Sequence, residues 1–325
     1  MSQRRHLVTP LNLRPGESGG LQYIHREHVE RQDIMNQLHW PSTLDALERF
    51  GIRKKSENSR GDFKVLEIGC GTGSTTFSLA KALPKASVTG IDTSEEMISF
   101  EKSKLSSYSE DIQDRVKFSL QNGETVGDTF PQAFDVVWLR FVVVHVPDPI
   151  RLLESAKKAL KPGGILFVED VDQFGQICDP PSFEACDLLQ KTRAEASRKM
   201  GGDVERGRMI GEYFRQLELD SIRCHSFVPL YGRGVAIEPW GGRQVFQDYD
   251  SGQTNEDRYQ LGLVFIDLTL ESLTPNLLRL GLASPDDIAR ARDSISRVSS
   301  PEVEYQIFSF PGGKIFQWVG EAPVS

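Results

Sequence analysis

The sequence from Lys64 to Asp92 reads KVLEIGCGTGSTTFSLAKALPKASVTGID, and it predicts a β-strand, a turn, a helix and a second strand in that order. The turn between the first strand and the helix contains three glycines, Gly69, Gly71 and Gly73. Glycine fits where a side chain would collide with a ligand or where φ must be positive. The stretch therefore predicts a turn on which a small ligand lies against the backbone, with an acid nearby that can hold a diol.

Dinucleotide-binding folds also begin with such a βαβ unit, so the glycine spacing has to be compared with theirs. Here the glycines follow G-x-G-x-G, and Ser74 stands where G-x-G-x-x-G requires its third glycine. No Tyr-x-x-x-Lys pair follows the predicted fourth strand. A nicotinamide-dependent oxidoreductase is therefore a weaker interpretation, and glycines that serve tight packing alone remain a second alternative.

The turn EIGCGTGS, followed by an acid 19 residues after its last glycine, resembles motif I and the next acidic position of the class I S-adenosylmethionine-dependent methyltransferases. This resemblance implies that Asp92 binds both ribose hydroxyls of the cofactor. A carboxylate can accept two hydrogen bonds from a diol, and this cofactor has no phosphates that would need basic residues. The resemblance also implies that the turn lines the methionine end of the cofactor, through Glu67, Gly69, Cys70, Gly71 and Gly73.

The residues after Asp92 extend the resemblance, because Asp92, Ser94 and Met97 match the D-x-S-x-x-M pattern of the family. Ser94 can cap the next helix, and Met97 can lie on the adenine face. A third strand over 116–120 ends where relatives often carry an acid for the adenine amino group, and Asn122 is the nearest match. Thr93 and Gln121 complete the cofactor residues expected along these two strand ends.

Further strands are predicted over 134–139 and 165–170, separated by a helix over 150–160 that ends on the sequence LKPGG. The segment after the fourth strand, from Arg140 to Pro149, resembles that of small-molecule methyltransferases related to the ubiquinone pathway. We assign Arg140 to the cofactor site on this resemblance. The predicted fold class is α/β, a three-layer Rossmann-like arrangement with a seven-stranded, mostly parallel sheet.

Composition favours a compact enzyme: the chain has 325 residues, 38% of them hydrophobic, which can bury a sizeable core. A formal charge of −8 argues against a nucleic-acid partner. We expect no membrane segment, because no apolar run of about 18 residues or more is visible. The four cysteines have no metal-binding spacing, so we expect reduced thiols, no metal and a cytoplasmic location.

Three additions to the catalytic core are predicted. A helical arm, broken by Pro41, and a charged linker occupy residues 1–62. The core spans 63–228 and carries a helical insert over 172–202. Residues 229–311 form a helical insertion before a final strand within 312–325. We expect these helices and the arm to form a lid over the methyl acceptor, and a homodimer interface is the alternative.

His145 is the leading candidate for a catalytic base, because it follows the fourth strand, and Asp170 is a second candidate at the end of the fifth. A packing histidine and a solvated acid are the alternatives, and the latter also holds for Asp172. Weaker candidates are three arm residues that could cover the cofactor and five possible pocket aromatics: Tyr23, His25 and His28, and Trp40, Phe174, Tyr213, Trp240 and Phe265.

The sequence thus predicts transfer of a methyl group to oxygen or nitrogen of a small organic acceptor, of the kind found in secondary metabolism. A methyl group on a sulfonium is already activated, so the protein has to align a nucleophile and exclude water. A relative that binds the cofactor without methylating, as a pericyclase or for structure, is the alternative. The sequence contains no H-E-x-x-H or phosphate-loop motif that would favour another chemistry.

Overall fold

The computed structural model describes residues 26–173, 178–179, 183–233, 255–300, 302–304, 306–309 and 314–324. Its centre is a seven-stranded sheet in the order β3-β2-β1-β4-β5-β10-β7. Strands β1 to β5 pair in parallel, and β10 pairs antiparallel with both β5 and β7. The seven strands are β1 Phe63–Ile68, β2 Ala86–Asp92, β3 Val116–Leu120, β4 Phe134–Arg140, β5 Leu160–Asp172, β7 Asp220–Phe227 and β10 Lys314–Glu321.

The central strands form because their residues are apolar on both faces, which suits a parallel sheet covered by helices on both sides. Within β4, six of seven residues are buried, and Trp138 stacks on Phe167 of β5 with ring centroids 3.7 Å apart. Two separate apolar clusters lie on the two faces of the sheet. The flanking helices are α2 Ile52–Glu57, α3 Ser74–Ala82, α4 Glu95–Leu105, α5 Glu110–Arg115, α6 Val126–Thr129, α7 Pro149–Ala159 and α9 Ile210–Gln216.

The predicted three-layer α/β fold is therefore confirmed, and the predicted strands match closely. One boundary differs: the LKPGG segment begins β5 at Leu160 instead of separating the helix from the strand. Leu160 pairs with Phe134 of β4, and the register then shifts before Val136 pairs with Ile165. A bulge of this kind accommodates the proline and glycines within an otherwise continuous strand.

In the described part of the N-terminal arm, helix α1 Arg26–Arg49 runs through Pro41, so the prediction that Pro41 breaks the helix is wrong. Proline removes one helical hydrogen bond. The carbonyl that loses its helical donor is that of Gln37, four residues before Pro41. Because Gln37 is exposed, water can donate to this carbonyl instead. The hydroxyls of Ser42 and Thr43 both donate to the His39 carbonyl, at 2.7 and 3.2 Å. Part of the predicted linker is also helical, as α2.

A second helical layer packs beyond the sheet edge at which the parallel strands end. It consists of α8 Glu184–Lys199, α10 Asn255–Arg279 and α11 Pro285–Val298. These helices share one apolar cluster with Ile34 and Leu38 of α1. A three-stranded antiparallel sheet joins them, in the order β6-β9-β8, formed by Cys178–Asp179, Gln306–Phe308 and Tyr231–Arg233.

Helix α10 is long and apolar enough by composition to cross a membrane, which differs from the expectation that no such stretch exists. Half of the apolar window in this helix is buried within the protein. Its residues Tyr259, Phe265 and Ile266 are buried in the cluster shared with α1, α8 and α11. This packing is that of a core helix.

Candidate functional site

The glycine turn follows β1 and is held by the end of β2. The amides of Gly69 and Cys70 both donate to the Ile91 carbonyl, at 2.8 and 3.0 Å. Gly69, Gly71 and Gly73 all have positive φ, between 56° and 74°. A Cβ atom on Gly71 would lie 2.3 Å from the side-chain oxygen of Gln32. The positive φ values favour glycine at all three positions, and a Cβ atom on Gly71 would also displace the Gln32 side chain.

Asp92 stands at the end of β2 with its carboxylate directed at two neighbouring loops. Its Oδ2 accepts a hydrogen bond from the Gly71 amide at 3.1 Å, and its Oδ1 accepts one from the Ser94 amide at 2.9 Å. Each oxygen keeps a lone pair for another donor. The carboxylate is therefore fixed in place and still able to accept bonds from a diol.

The next loops close the same end of the sheet. Ser94 caps α4 by accepting from the Met97 amide at 3.2 Å, as predicted, and Met97 is buried. Asn122 accepts from the Glu124 amide at 2.9 Å and caps a short 3-10 turn. The side chain of Gln121 donates to Thr129, so it points along the loop.

Helix α1 lies on the glycine turn, a contact that the sequence does not reveal. The Thr72 amide donates to Gln32 Oε1 at 3.0 Å, and the Thr72 hydroxyl donates to Asp33 at 3.1 Å. Asn36 accepts a hydrogen bond from Arg140 Nη1 at 2.7 Å. The arm is thereby part of the site, although polar helix residues at these positions give no distinguishing pattern.

Arg140 connects the end of β4 to its neighbours. Its Nε donates to Glu169 on β5 at 2.8 Å, and both side chains are almost fully buried. Its Nη1 also donates to Thr75 at 3.1 Å. Its Nη2 is buried without a hydrogen-bond partner among the described residues. A guanidinium left with one unbonded nitrogen at a cavity wall can donate to a bound ligand.

These elements enclose a cavity of about 390 Å³. One part is lined by the carboxyl ends of β1, β2, β3 and β4, where ligands bind in open α/β sheets. The other part is lined by α1, α8, α10 and the 3-10 turn Val143–His145. The cavity is therefore shared between the sheet and the added helices.

Comparison with known proteins identifies the domain that contains the central sheet. The sequence profile of a methyltransferase domain family matches residues 66–166. Residues 66–166 therefore form a methyltransferase domain.

Two curated relatives extend this finding. A ubiquinone biosynthesis O-methyltransferase from Hydrogenovibrio crunogenus is 34% identical over 109 residues, which cover 34% of this chain and 43% of that protein. A 27-O-demethylrifamycin SV methyltransferase from Amycolatopsis mediterranei is 32% identical over 190 residues, 58% of either chain. The matches thus span about half the length of these relatives.

Among solved structures, the cyclase SpnF aligns over 95% of this chain and 98% of its own, with a TM-score of 0.50 and 13% identity. At that identity the likeness concerns the fold alone. It includes the added helices, since the alignment runs beyond the methyltransferase domain.

Nearly all the residues assigned to the cofactor from sequence line the cavity of the methyltransferase domain: Glu67, Gly69, Cys70, Gly71, Asp92, Thr93, Met97, Gln121, Asn122 and Arg140. Gly73 does not line it. A Cβ atom there would meet Phe118 at 3.0 Å and Glu101 at 3.2 Å, so this glycine is required by packing and by its φ of 71°.

Glu67, at the end of β1 just before the turn, is an acid whose pKa the site raises. It is buried, and desolvation raises its pKa to about 8, although the Thr76 hydroxyl bonds to it and Arg140 lies nearby. The side chain is therefore mostly neutral at pH 7. A cation placed next to it would favour the ionised form.

Of the two catalytic candidates, His145 lines the cavity and Asp170 does not. Burial, followed by the charges of Arg193, Arg31 and Arg206, lowers the pKa of His145 to about 4. The imidazole is thus neutral at physiological pH.

Asp170 is fully buried within β5. Its oxygens accept from the amides of Val144 at 3.2 Å and Val171 at 2.9 Å, and burial raises its pKa to about 7. Asp172 pairs with Arg208. The alternative interpretation, in which these acids are solvated loop residues, is wrong because β5 continues through both.

The weaker candidates fall in three groups. Trp40 and Phe265 are buried in apolar clusters and do not line the cavity. Tyr213 packs at the edge of another cluster. Tyr23, His25, Phe174, Trp240 and the side chain of His28 lie outside the described residues.

Proposed function

We propose that this protein transfers a methyl group from S-adenosylmethionine to oxygen or nitrogen of a small organic acceptor, as in secondary metabolism. The observation that carries the proposal is the placement of Asp92, the glycine turn and His145 around one cavity in a methyltransferase domain. The cofactor supplies an already activated methyl group on its sulfonium. The names of the two relatives, a ubiquinone biosynthesis O-methyltransferase and a 27-O-demethylrifamycin SV methyltransferase, favour oxygen as the receiving atom.

The residues fit the cofactor on observations of this structure. Asp92 offers two oxygens with free lone pairs, and Arg140 offers a buried Nη2 with no partner among the described residues. Gly69 and Gly71 line the cavity with no side chain of their own and have positive φ, which glycine adopts without strain. We assign Asp92 to the ribose, Asn122 and Met97 to the adenine, and the glycine turn to the methionine end.

The added helices and the arm serve as a lid in this proposal. Met35 of α1, Ala196 of α8 and Leu273 of α10 line the cavity opposite the sheet. Apolar walls on that side would exclude water from the acceptor and orient it towards the methyl donor. A homodimer interface on the outer faces of these helices is compatible with this role.

Incubation with methyl-labelled S-adenosylmethionine and a set of phenols, carboxylic acids and amines tests the proposal. Transfer of label to a product supports methylation. Binding of the cofactor with a chemical change in the acceptor and no label would instead favour a non-methylating cyclase-like role. Preferential binding of a nicotinamide dinucleotide would favour the oxidoreductase.

Glu67 gives a prediction about protons. Because its pKa is about 8 in the free protein, binding of the positively charged cofactor should ionise it and release close to one proton at pH 7. The release should disappear above about pH 9, where Glu67 is already ionised. Calorimetry in buffers of different ionisation enthalpy measures this number.

Glu67→Gln is the matched variant, because it keeps the side-chain shape and cannot release a proton. Glu48→Gln, on the exposed face of α1, serves as control. An unchanged proton release in Glu67→Gln would show that another group ionises.

His145 is proposed as the residue that accepts the proton or hydrogen bond of the acceptor. We expect His145→Ala to lower kcat by about 100-fold, the lower end of the range for a positioned base, with unchanged cofactor affinity. Since a base acts when deprotonated, activity due to His145 should fall only as pH drops through about 4. Its contribution should be constant from pH 5 to 8.

The control is His225→Ala on β7, which lies outside the cavity. Initial rates and titration of S-adenosylhomocysteine separate the two effects. A loss of cofactor affinity equal to the loss of rate would contradict a role at the acceptor, and an unchanged rate would leave His145 as a packing residue.

A further inference from the structure

The 3-10 turn Val143–His145, here called the His145 turn, brings His145 to the cavity wall between β4 and α7. Its own hydrogen bond joins the His145 amide to the Val142 carbonyl at 2.9 Å. Val143 and Val144 are buried, so their other backbone groups are removed from water and need partners within the protein.

The backbone just before the His145 turn is strained. Phe141 has a φ of 56°, in the left-handed region that residues with a side chain rarely adopt. Such a conformation persists where the surrounding structure holds it. Loss of the contacts that other elements make with the His145 turn would therefore let this part of the chain rearrange.

One of these contacts comes from β5. The buried carboxyl group of Asp170 accepts a hydrogen bond from the Val144 amide at 3.2 Å. Val144 directly precedes His145, so this bond fixes the backbone next to the point from which the imidazole extends. Asp170 does not line the cavity, and an effect of this residue on the acceptor would have to pass through the His145 turn.

The segment 202–206, which follows α8, makes further contacts with the same turn. The Arg206 Nη1 donates to the Val143 carbonyl at 3.1 Å and also to the Val146 carbonyl. The Asp203 amide donates to the Val144 carbonyl at 2.7 Å. Hydrogen bonds from a charged donor are stronger than those between neutral groups, so Arg206 contributes a firm link at both ends of the turn.

Gly202 allows this segment to approach so closely. A Cβ atom on Gly202 would lie 2.6 Å from the Val144 carbonyl oxygen and 3.4 Å from the Cα atom of His145. The first distance is shorter than a carbon and an oxygen tolerate without a bond between them. A methyl group at this position would therefore displace the His145 turn without changing any charge.

We propose that Asp170 and Arg206 are positioning residues for methyl transfer, which hold the His145 turn from two different elements and so fix the imidazole beside the acceptor. The proposal rests on the role of His145 proposed above. A base acts within hydrogen-bond distance of the proton that it accepts, so a small displacement of the turn should lower the rate. Like Asp170, Arg206 does not line the cavity.

NMR titration of the His145 imidazole tests the hold on the turn and needs no acceptor. The full chain is labelled with isotope-enriched histidine, and the signal that is missing in His145→Ala is that of His145. Burial, followed by the charges of Arg193, Arg31 and Arg206, lowers the pKa of His145 to about 4. The wild-type signal should therefore stay constant from pH 5 to 8, and titration within this range would contradict a firmly held turn.

Asp170→Asn removes the charged acceptor with little change of shape, and Gly202→Ala displaces the turn sterically. In both variants the imidazole should become more exposed, so its pKa should rise towards 6.5 and the signal should titrate between pH 5 and 8. Loss of the Asp170 charge alone would lower this pKa, so a rise reports movement of the turn. A signal that stays constant in both variants would overturn the proposal.

Asp172→Asn is the matched control for this titration. It removes an acid two residues further along β5, which pairs with Arg208. The His145 signal should remain constant from pH 5 to 8 in this variant. Thermal unfolding of all variants shows whether they are folded, and the titration is compared among variants that are.

A double-mutant cycle connects the contacts with catalysis. With an acceptor found in the labelled-methyl assay, Arg206→Met should lower kcat about 10-fold, because the imidazole is misplaced, and leave S-adenosylhomocysteine affinity within about threefold. In the His145→Ala background the same change should lower kcat less than about twofold, since no imidazole is left to position. Arg208→Met, on the same short helix Arg206–Met209, is the control and should leave kcat unchanged.

Two outcomes of this cycle would overturn the proposal. An unchanged kcat in Arg206→Met would show that the contact does not matter for transfer. An equal loss of kcat with and without His145 would show that Arg206 acts independently of it. If His145→Ala itself leaves the rate unchanged, the role proposed for His145 fails, and the titration shows separately whether the contacts hold the turn.

Discussion

Replacement of Asp92 by alanine is expected to abolish measurable cofactor binding while the protein stays folded. The carboxylate is held at the end of β2 by the amides of Gly71 and Ser94, with a lone pair left on each oxygen. Hydrogen bonds to a charged group contribute about 1.5–3 kcal/mol each, so loss of two should weaken binding at least about 100-fold. Titration of S-adenosylhomocysteine measures the change.

Asp114→Ala provides the control, since this acid is exposed on α5 and lies outside the cavity. Far-UV circular dichroism and thermal unfolding of both variants test whether the fold is retained. An affinity for S-adenosylhomocysteine that stays within threefold of the wild type would contradict the ribose assignment of Asp92.

Gly71→Val is expected to have an effect of similar size for a steric reason. Gly71 has a φ of 56°, and its missing Cβ atom would lie 2.3 Å from Gln32 Oε1. A left-handed conformation costs a residue with a side chain about 1–2 kcal/mol, and a β-branched residue is affected most. The branched side chain would also occupy the space in which the turn meets its ligand, so we expect cofactor affinity to fall below detection.

Gly281→Val separates backbone strain from blockage of the site. Gly281 has a φ of 66° and open space around its missing Cβ atom, and it does not line the cavity. Both variants should lose thermal stability, and only Gly71→Val should lose binding of S-adenosylhomocysteine. Equal affinity of the two variants for this ligand would show that the turn does not contact the cofactor.

The central sheet and its ligand-binding turn were predictable because local sequence patterns determine them. A buried strand followed by glycines, a capped helix and an acid has few other interpretations, and Ser94 does cap α4 as its spacing suggests. The helix Pro285–Val298 lies within the insertion that was predicted to be helical, and Ser284 and Asp287 form a capping box at its start. Local hydrogen bonding determines such features.

The residues that the added helices bring to the cavity were not predictable, because long-range packing determines their positions. Gln32, Asn36 and Arg31 sit on an ordinary polar helix face, and only the docking of α1 on the glycine turn brings them to the cavity. Arg193, which also lines the cavity, lies on α8, more than 150 residues after Arg31 in sequence. The prediction that Pro41 breaks the helix was wrong for the same reason. The packing of α1 on the second helical layer stabilises the helix beyond its local propensity.

A crystal structure of the protein with S-adenosylhomocysteine tests the central claim most directly. We predict that the ligand's sulfur lies over the backbone of residues 69–71, that both ribose hydroxyls bond to Asp92, and that the space beside His145 stays open for the acceptor. A structure in which side chains fill this crevice, or in which the ligand binds elsewhere, would contradict the account.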